Sequence, residues 1–164
     1  MSPRRWDGRI YLGFVLLVTL HFYVRPRIFD GRAAPDFLFV ALMVIAVRAR
    51  PGLAAVAGFL VGMISDVLTP ASLGAGALAH TVVAYLAAWG RAVFFPDNLL
   101  VNAGLFAGGV WVRNAIVLLA SGTPSEQLSN GLLVWAPLQA LSTAAAGMVL
   151  LMLFRDWFAI RLEA

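Results

Sequence analysis

Long apolar runs along the chain are broken by short polar clusters, and the uncharged runs define the candidate helices. They are Ile10–Val24, Phe37–Val47, Gly52–Ser65, Val67–Gly90, Asn98–Val112 continuing past Arg113 to Ala120, and Gln127–Phe154. With their flanks they predict helices over about 9–25, 35–48, 52–67, 73–90, 98–120 and 128–155. A helix that crosses a bilayer needs about 20 apolar residues. Val67–Gly90 and Gln127–Phe154 reach that length, although Pro70 and the turn residues after it trim the first. Phe37–Val47 covers only ~17 Å at 1.5 Å per residue, so it is expected to sit short or tilted. Fusing Phe37–Ser65 into one bent span would put Arg48, Arg50, Pro51 and Gly52 at its centre, which is a turn signal. Six helices is therefore the favoured count and five the fallback, forming one transmembrane domain over 1–164.

Composition changes this from a helical protein to a membrane protein. Hydrophobic residues make up 62% of the 164 positions and charged residues 12%. An ordinary soluble domain is roughly half apolar and about a quarter charged. Too little charge remains to clothe a water-facing surface, which excludes a soluble enzyme or an ordinary nucleic-acid binder. The net charge of +4 comes from 12 Arg and no Lys, placed singly or in pairs at the ends of apolar runs. That is a snorkelling, topology-setting pattern rather than a basic stripe for nucleic acid. Arg4, Arg5, Arg9, Arg48, Arg50, Arg91, Arg155 and Arg161 fall on one side, against Arg25, Arg27 and Arg32 on the other. Both termini are therefore expected in the cytoplasm. Arg25-Pro26-Arg27 follows the first run with no Ala-x-Ala-like site, so that run reads as a retained helix rather than a cleaved signal peptide. Zero Cys excludes disulfides, thiol catalysis and Cys-ligated metal centres.

Candidate chemistry is sparse. Ala54, Gly58, Gly62 and Asp66 recur every four residues on the third helix, as do Gly76, His80, Ala84 and Ala88 on the fourth. Such small-residue stripes serve helix packing first and a partner helix second. Pro35-Asp36 and Pro96-Asp97 form a weak echo, read more simply as two good helix starts than as an inverted repeat. Asp36, Asp66, His80, Arg113 and Asn114 fall at similar depth toward the outer ends of their helices and form a candidate buried polar cluster. Asp36 also reads as a helix cap, and His21 beside Phe22 and Tyr23 as an interfacial residue. Arg113 cannot shed its proton, so a carboxylate partner is expected: Asp66 first, Asp36 second, held bidentately. The sequence leaves open whether such a pair braces the fold or holds a ligand. GxSxG, HExxH and Walker-type loops are absent, and His21, His80, Asp36 and Asp66 have no metal-ligand spacing. No enzyme activity, metal or cofactor is expected.

At Pro35-Asp36, then Gly58-Phe-Leu-Val-Gly62-Met-Ile-Ser-Asp66, then Pro70-Ala-Ser-Leu-Gly74, the chain resembles the bacterial rod shape-determining MreD family. The resemblance covers roughly Pro35–Gly90, with length and helix count agreeing beyond it. It implies a non-enzymatic scaffold of the cell-elongation machinery that makes peptidoglycan. The implied partners are the membrane-anchored MreC, the actin-like MreB and a glycan polymerase–transpeptidase pair. It also implies a six-helix bundle similar to the substrate-binding subunits of energy-coupling-factor vitamin transporters. Those subunits supply the alternative function. In them an Ala-x-x-x-Ala face on the first helix commonly docks the transport module, whereas Ile10–Val24 contains no Ala.

Overall fold

The computed structural model describes residues 8–28, 32–67, 73–90 and 99–153, and every regular element among them is helical. The order is α1 (Gly8–Tyr23), a 3-10 turn (Arg25–Arg27), α2 (Phe37–Ala46), α3 (Pro51–Val67), α4 (Ala75–Gly90) and α5 (Leu99–Ala120). It ends with α6 (Ser125–Asn130), a π turn (Gly131–Trp135) and α7 (Ala136–Leu153). These last three run on as one 29-residue stretch, Ser125–Leu153. That stretch and Leu100–Ala120 are long and apolar enough to cross a membrane. The turn at 68–72, the Pro96-Asp97 half of the sequence echo, and Arg4, Arg5, Arg91, Arg155 and Arg161 lie outside the described residues.

Two boundaries depart from the sequence reading for local reasons. Pro26 has no N–H to continue α1, and the chain tightens into the 3-10 turn. The last helix begins at Ser125, ahead of the uncharged run, because Pro124 precedes it and Glu126 sits in its first turn. A carboxylate there is favoured by the helix dipole, so charge marks this start rather than forbidding it.

The short second helix proves to be the axis of the bundle. It touches α1, α3, α4, α5 and α7, and nine of its ten residues are buried. It was expected to sit short or tilted in lipid. Instead, Leu17 of α1, Phe106 and Val110 of α5 and Leu151 of α7 belong to the core cluster around it. At ~15 Å it could not span a bilayer. Enclosed by protein, it has no thickness to match, and only its polar ends must be satisfied.

Around this apolar axis the outward faces are apolar as well, and several polar side chains are turned in. α3 turns Ala54, Gly58, Gly62 and Asp66 inward and Leu53, Val56, Phe59, Leu60 and Ile64 outward. His21, Asp36, Asp66, His80, Gln139 and Thr143 are all buried. Large apolar side chains on α1, α4, α5 and α7 are likewise exposed, an extent of apolar surface that lipid solvates and water does not.

Candidate functional site

The Gly-rich face of α3 explains the tightest contact in the molecule. A Cβ on Gly58 would fall on the His80 carbonyl of α4, and one on Gly62 on the Gly76 carbonyl and the Cα of Ala77. The two backbones approach directly because neither glycine carries a side chain. One turn further, Asp66 continues the same face and meets the start of α4. Its Oδ2 accepts from the amides of Gly74 and Ala77, each at 2.9 Å, and its Oδ1 accepts from Gly76 at 2.9 Å. Three amides that the helix itself cannot pair are thereby satisfied, and the carboxylate lies at the positive end of the helix dipole. Gly74 holds φ at +92°, which a side chain would resist, and a Cβ on Gly76 would strike Asp66. The motif Gly58…Gly62…Asp66…Gly74-x-Gly76 is therefore one packing device.

A second carboxylate, Asp36, is handled quite differently. Its Oδ1 caps α2 by accepting from the Phe39 amide at 3.0 Å. Its Oδ2 lies 2.5 Å from an Arg113 terminal nitrogen on α5, with both side chains buried. His21 of α1 reaches from the other side, with Nδ1 3.3 Å from Oδ1 and also 3.3 Å from the Leu38 amide. Its Nε2 faces a terminal nitrogen of Arg25 at 3.5 Å. Arg25 can only donate, and so can the Leu38 amide, so His21 either accepts at Nδ1 from Leu38 or carries a proton there toward Asp36, and cannot do both. α7 closes the cluster. The Thr143 hydroxyl accepts from the Asp36 amide at 3.0 Å, and the Ser142 hydroxyl donates to the Ala33 carbonyl at 2.6 Å. Asn114 donates to the Gln139 amide oxygen at 2.8 Å. Four helices, α1, α2, α5 and α7, are thus joined at one end of the bundle.

The expected single cluster is two centres. Arg113 takes its second-choice partner, Asp36, and not Asp66, whose oxygens are occupied by backbone amides. The fork does not close bidentately either: one terminal nitrogen reaches Asp36, and the buried Nε has no hydrogen-bond partner. The guanidinium lies instead 5.9 Å from the Phe39 ring centroid. His80 stands between the centres. Its Nδ1 is 2.7 Å from the Gly76 carbonyl, the peptide next to Asp66, while its ring packs 6.2 Å from Phe39. The stripe Ala54, Gly58, Gly62, Gly76 and Ala84 is wholly buried, so its packing role leaves no open face for a partner. Gln139 and Thr143 escaped the sequence reading because it weighed ionisable residues and, beyond them, only Asn114 beside Arg113. Two polar residues four apart in an otherwise apolar helix were the available signal.

Beside the second centre a cavity of about 460 Å³ opens between α5 and the α6–π–α7 rod, lined in part by Arg32, Asn114, Trp135 and Gln139. Nothing among the described residues gathers three metal-binding side chains. A sequence model of the family described as rod shape-determining protein MreD matches residues 6–158. The chain belongs to the MreD family. MreD proteins are bacterial membrane proteins of rod-shape determination, and the apolar exterior of this chain suits that setting. Neither the curated proteins nor the solved structures yield a match. The MreD match extends the resemblance beyond Pro35–Gly90 to α5 and the α6–π–α7 rod, so it takes in both carboxylate centres.

Proposed function

We propose that this MreD-family chain is a non-enzymatic, multi-pass scaffold of the inner membrane, with both termini cytoplasmic. It binds MreC and the associated glycan polymerase–transpeptidase pair of the elongation machinery. Family membership supports the setting, and the Arg asymmetry supports the orientation.

The observation that carries the binding role is on α5. Gly104 and Gly108 lie one turn apart, and a Cβ on either would meet no heavy atom within 4 Å. They line an apolar groove of about 200 Å³ whose other wall includes Leu86, Ala87 and Gly90 of α4. Gly58 and Gly62 are used up within the chain, whereas this second glycine pair is open. Small residues on both walls admit the backbone of a foreign helix, which suits the single membrane helix of an MreC-like partner. Gly104→Leu and Gly108→Leu fill open space, so both variants should fold and lose MreC on co-purification. Recovery of MreC at the unsubstituted level would remove the groove from the interface.

The alternative, a vitamin-binding transporter subunit of similar bundle architecture, draws on the 460 Å³ cavity, a volume that suits a small ligand. The absence of Ala from Ile10–Val24 weighs against it.

A further inference from the structure

The cavity beside the second carboxylate centre is built differently from the apolar groove, and its construction points to a ligand class. Its walls are held in place by three devices. First, α5 ends in a tight turn in which Gly122 has φ +66°, the Thr123 amide donates to the Leu118 carbonyl at 3.2 Å, and the Gly122 amide donates to Leu119 at 3.3 Å. This 6→1 and 5→2 pair fixes the rim from Ser121 to Thr123. Second, the π turn carries one residue more per turn than an α-helix, with the Ala136 amide donating to Gly131, and this re-phases the helix. Trp135 and Gln139 then line the cavity while Leu133, Val134 and Leu138 face out. Third, the Trp111 indole donates to the Leu132 carbonyl at 3.2 Å, tying the π turn to α5.

The lining chemistry is selective. The carboxamides of Asn114, Gln127, Asn130 and Gln139 supply paired donors and acceptors. Arg32 supplies a cation, its guanidinium standing 5.5 Å from the Trp135 ring centroid. Among the described residues no carboxylate lines the space. A metal ion or organic cation would meet Arg32 and no counter-charge among the described lining residues, and a purely apolar ligand would desolvate the carboxamides of Gln127 and Asn130. Gln139 is itself buried and held by Asn114, so the deep wall is a fixed polar surface rather than a solvated fringe.

We propose that this cavity binds a phosphorylated polyol: the phosphate meets Arg32 and the hydroxyls meet the carboxamides. The same chemistry is carried by a phosphatidylglycerol headgroup and by free glycerol phosphate. The proposal does not rest on the partner reading, since the cavity and the α5 groove share no residue.

The test is thermal unfolding of the full chain in neutral maltoside detergent. It is titrated separately with short-chain phosphatidylglycerol, short-chain phosphatidylcholine and glycerol 3-phosphate. Phosphatidylglycerol should raise the melting temperature saturably and phosphatidylcholine should not. Arg32 is exposed, so Arg32→Gln should fold normally yet need about tenfold more phosphatidylglycerol for the same shift. Gln127→Leu, also exposed, should weaken the response in the same direction. A matching shift from glycerol 3-phosphate alone supports a soluble ligand, and silence from it beside an active lipid supports a headgroup. Equal shifts from the two lipids, or an unchanged titration of Arg32→Gln, would overturn the proposal.

Discussion

Asp66 and Asp36 are both buried carboxylates at helix termini, yet the protein neutralises them by opposite means. Asp66 is satisfied locally, by amides eight to eleven residues ahead in the chain. The Asp36 carboxylate takes one local bond, from the Phe39 amide, but its cation comes from afar, from Arg113 at 77 residues' separation, and its own backbone amide is held by the Thr143 hydroxyl at 107. The first arrangement needs only that α3 and α4 form a hairpin. The second needs α1, α2, α5 and α7 all in place. The hairpin's cap thus depends on two helices, and the clasp on four. In a low-dielectric medium both matter, because an unclosed clasp strands the charges of Asp36 and Arg113 and an unclosed hairpin strands that of Asp66.

The largest expected effect comes from breaking the clasp on one side. Arg113→Gln leaves Asp36 buried without its cation and should cost about 3–5 kcal/mol of stability. Asp36→Asn in the same background removes the stranded charge, so the double variant should be more stable than Arg113→Gln alone. Asp66→Asn should add to Arg113→Gln with little coupling, since the two share no partner. Thermal melts in detergent across both cycles read this directly. Strong coupling of Arg113 to Asp66 and none to Asp36 would reverse the assignment of partners.

That reversal is the one the sequence alone invited. Depth along the helices placed Asp36, Asp66, His80, Arg113 and Asn114 near one level, and the burial of Asp36, Asp66 and His80 was legible from the high cost of leaving them in lipid. Depth says nothing of azimuth. Which carboxylate faces α5 depends on how α3 and α4 rotate about each other, and that rotation is set by Gly58 and Gly62 meeting the α4 backbone. Once those glycines lock the hairpin, Asp66 points at Gly74, Gly76 and Ala77 and is no longer available. Helix number and the turn at Arg48–Gly52 were readable from charge and proline punctuation. The burial of α2 was not, because ten apolar residues look the same whether lipid or protein surrounds them.

A smaller effect tests the hairpin. Gly62→Ala puts a methyl group against the backbone of Gly76 and Ala77, which cannot move aside without disturbing the Asp66 cap. Overpacking of this kind costs about 1–3 kcal/mol, and more where backbone must shift. Gly104→Ala on α5 meets open space and should be neutral or slightly stabilising as a helix-propensity gain. Melting temperatures of the two variants should therefore move in opposite directions or differ by several degrees. Equal destabilisation would mean that α5 is packed as tightly as α3, and the contrast between closed and open glycine pairs would fail.

The smallest effect separates the charge of the clasp from its framework. Thr143 of α7 accepts from the Asp36 amide at 3.0 Å and is fully buried. Valine has nearly the same shape but cannot accept, so Thr143→Val leaves one buried amide unpaired and disturbs no ion pair. A loss of about 1–2 kcal/mol is expected, the cost of an unmet neutral donor rather than of an unmet charge. The same substitution should also be coupled to Arg113→Gln, because both act on where the Asp36 residue sits. With the α2 terminus released from α7, the carboxylate can shift toward water, and losing Arg113 then costs less than it does when Thr143 is present. If Thr143→Val were as damaging as Arg113→Gln, the backbone anchor and not the ion pair would be the element that closes the bundle. If it were silent, the amide would have another acceptor within reach, and α7 would contribute to the clasp through Gln139 and Ser142 alone.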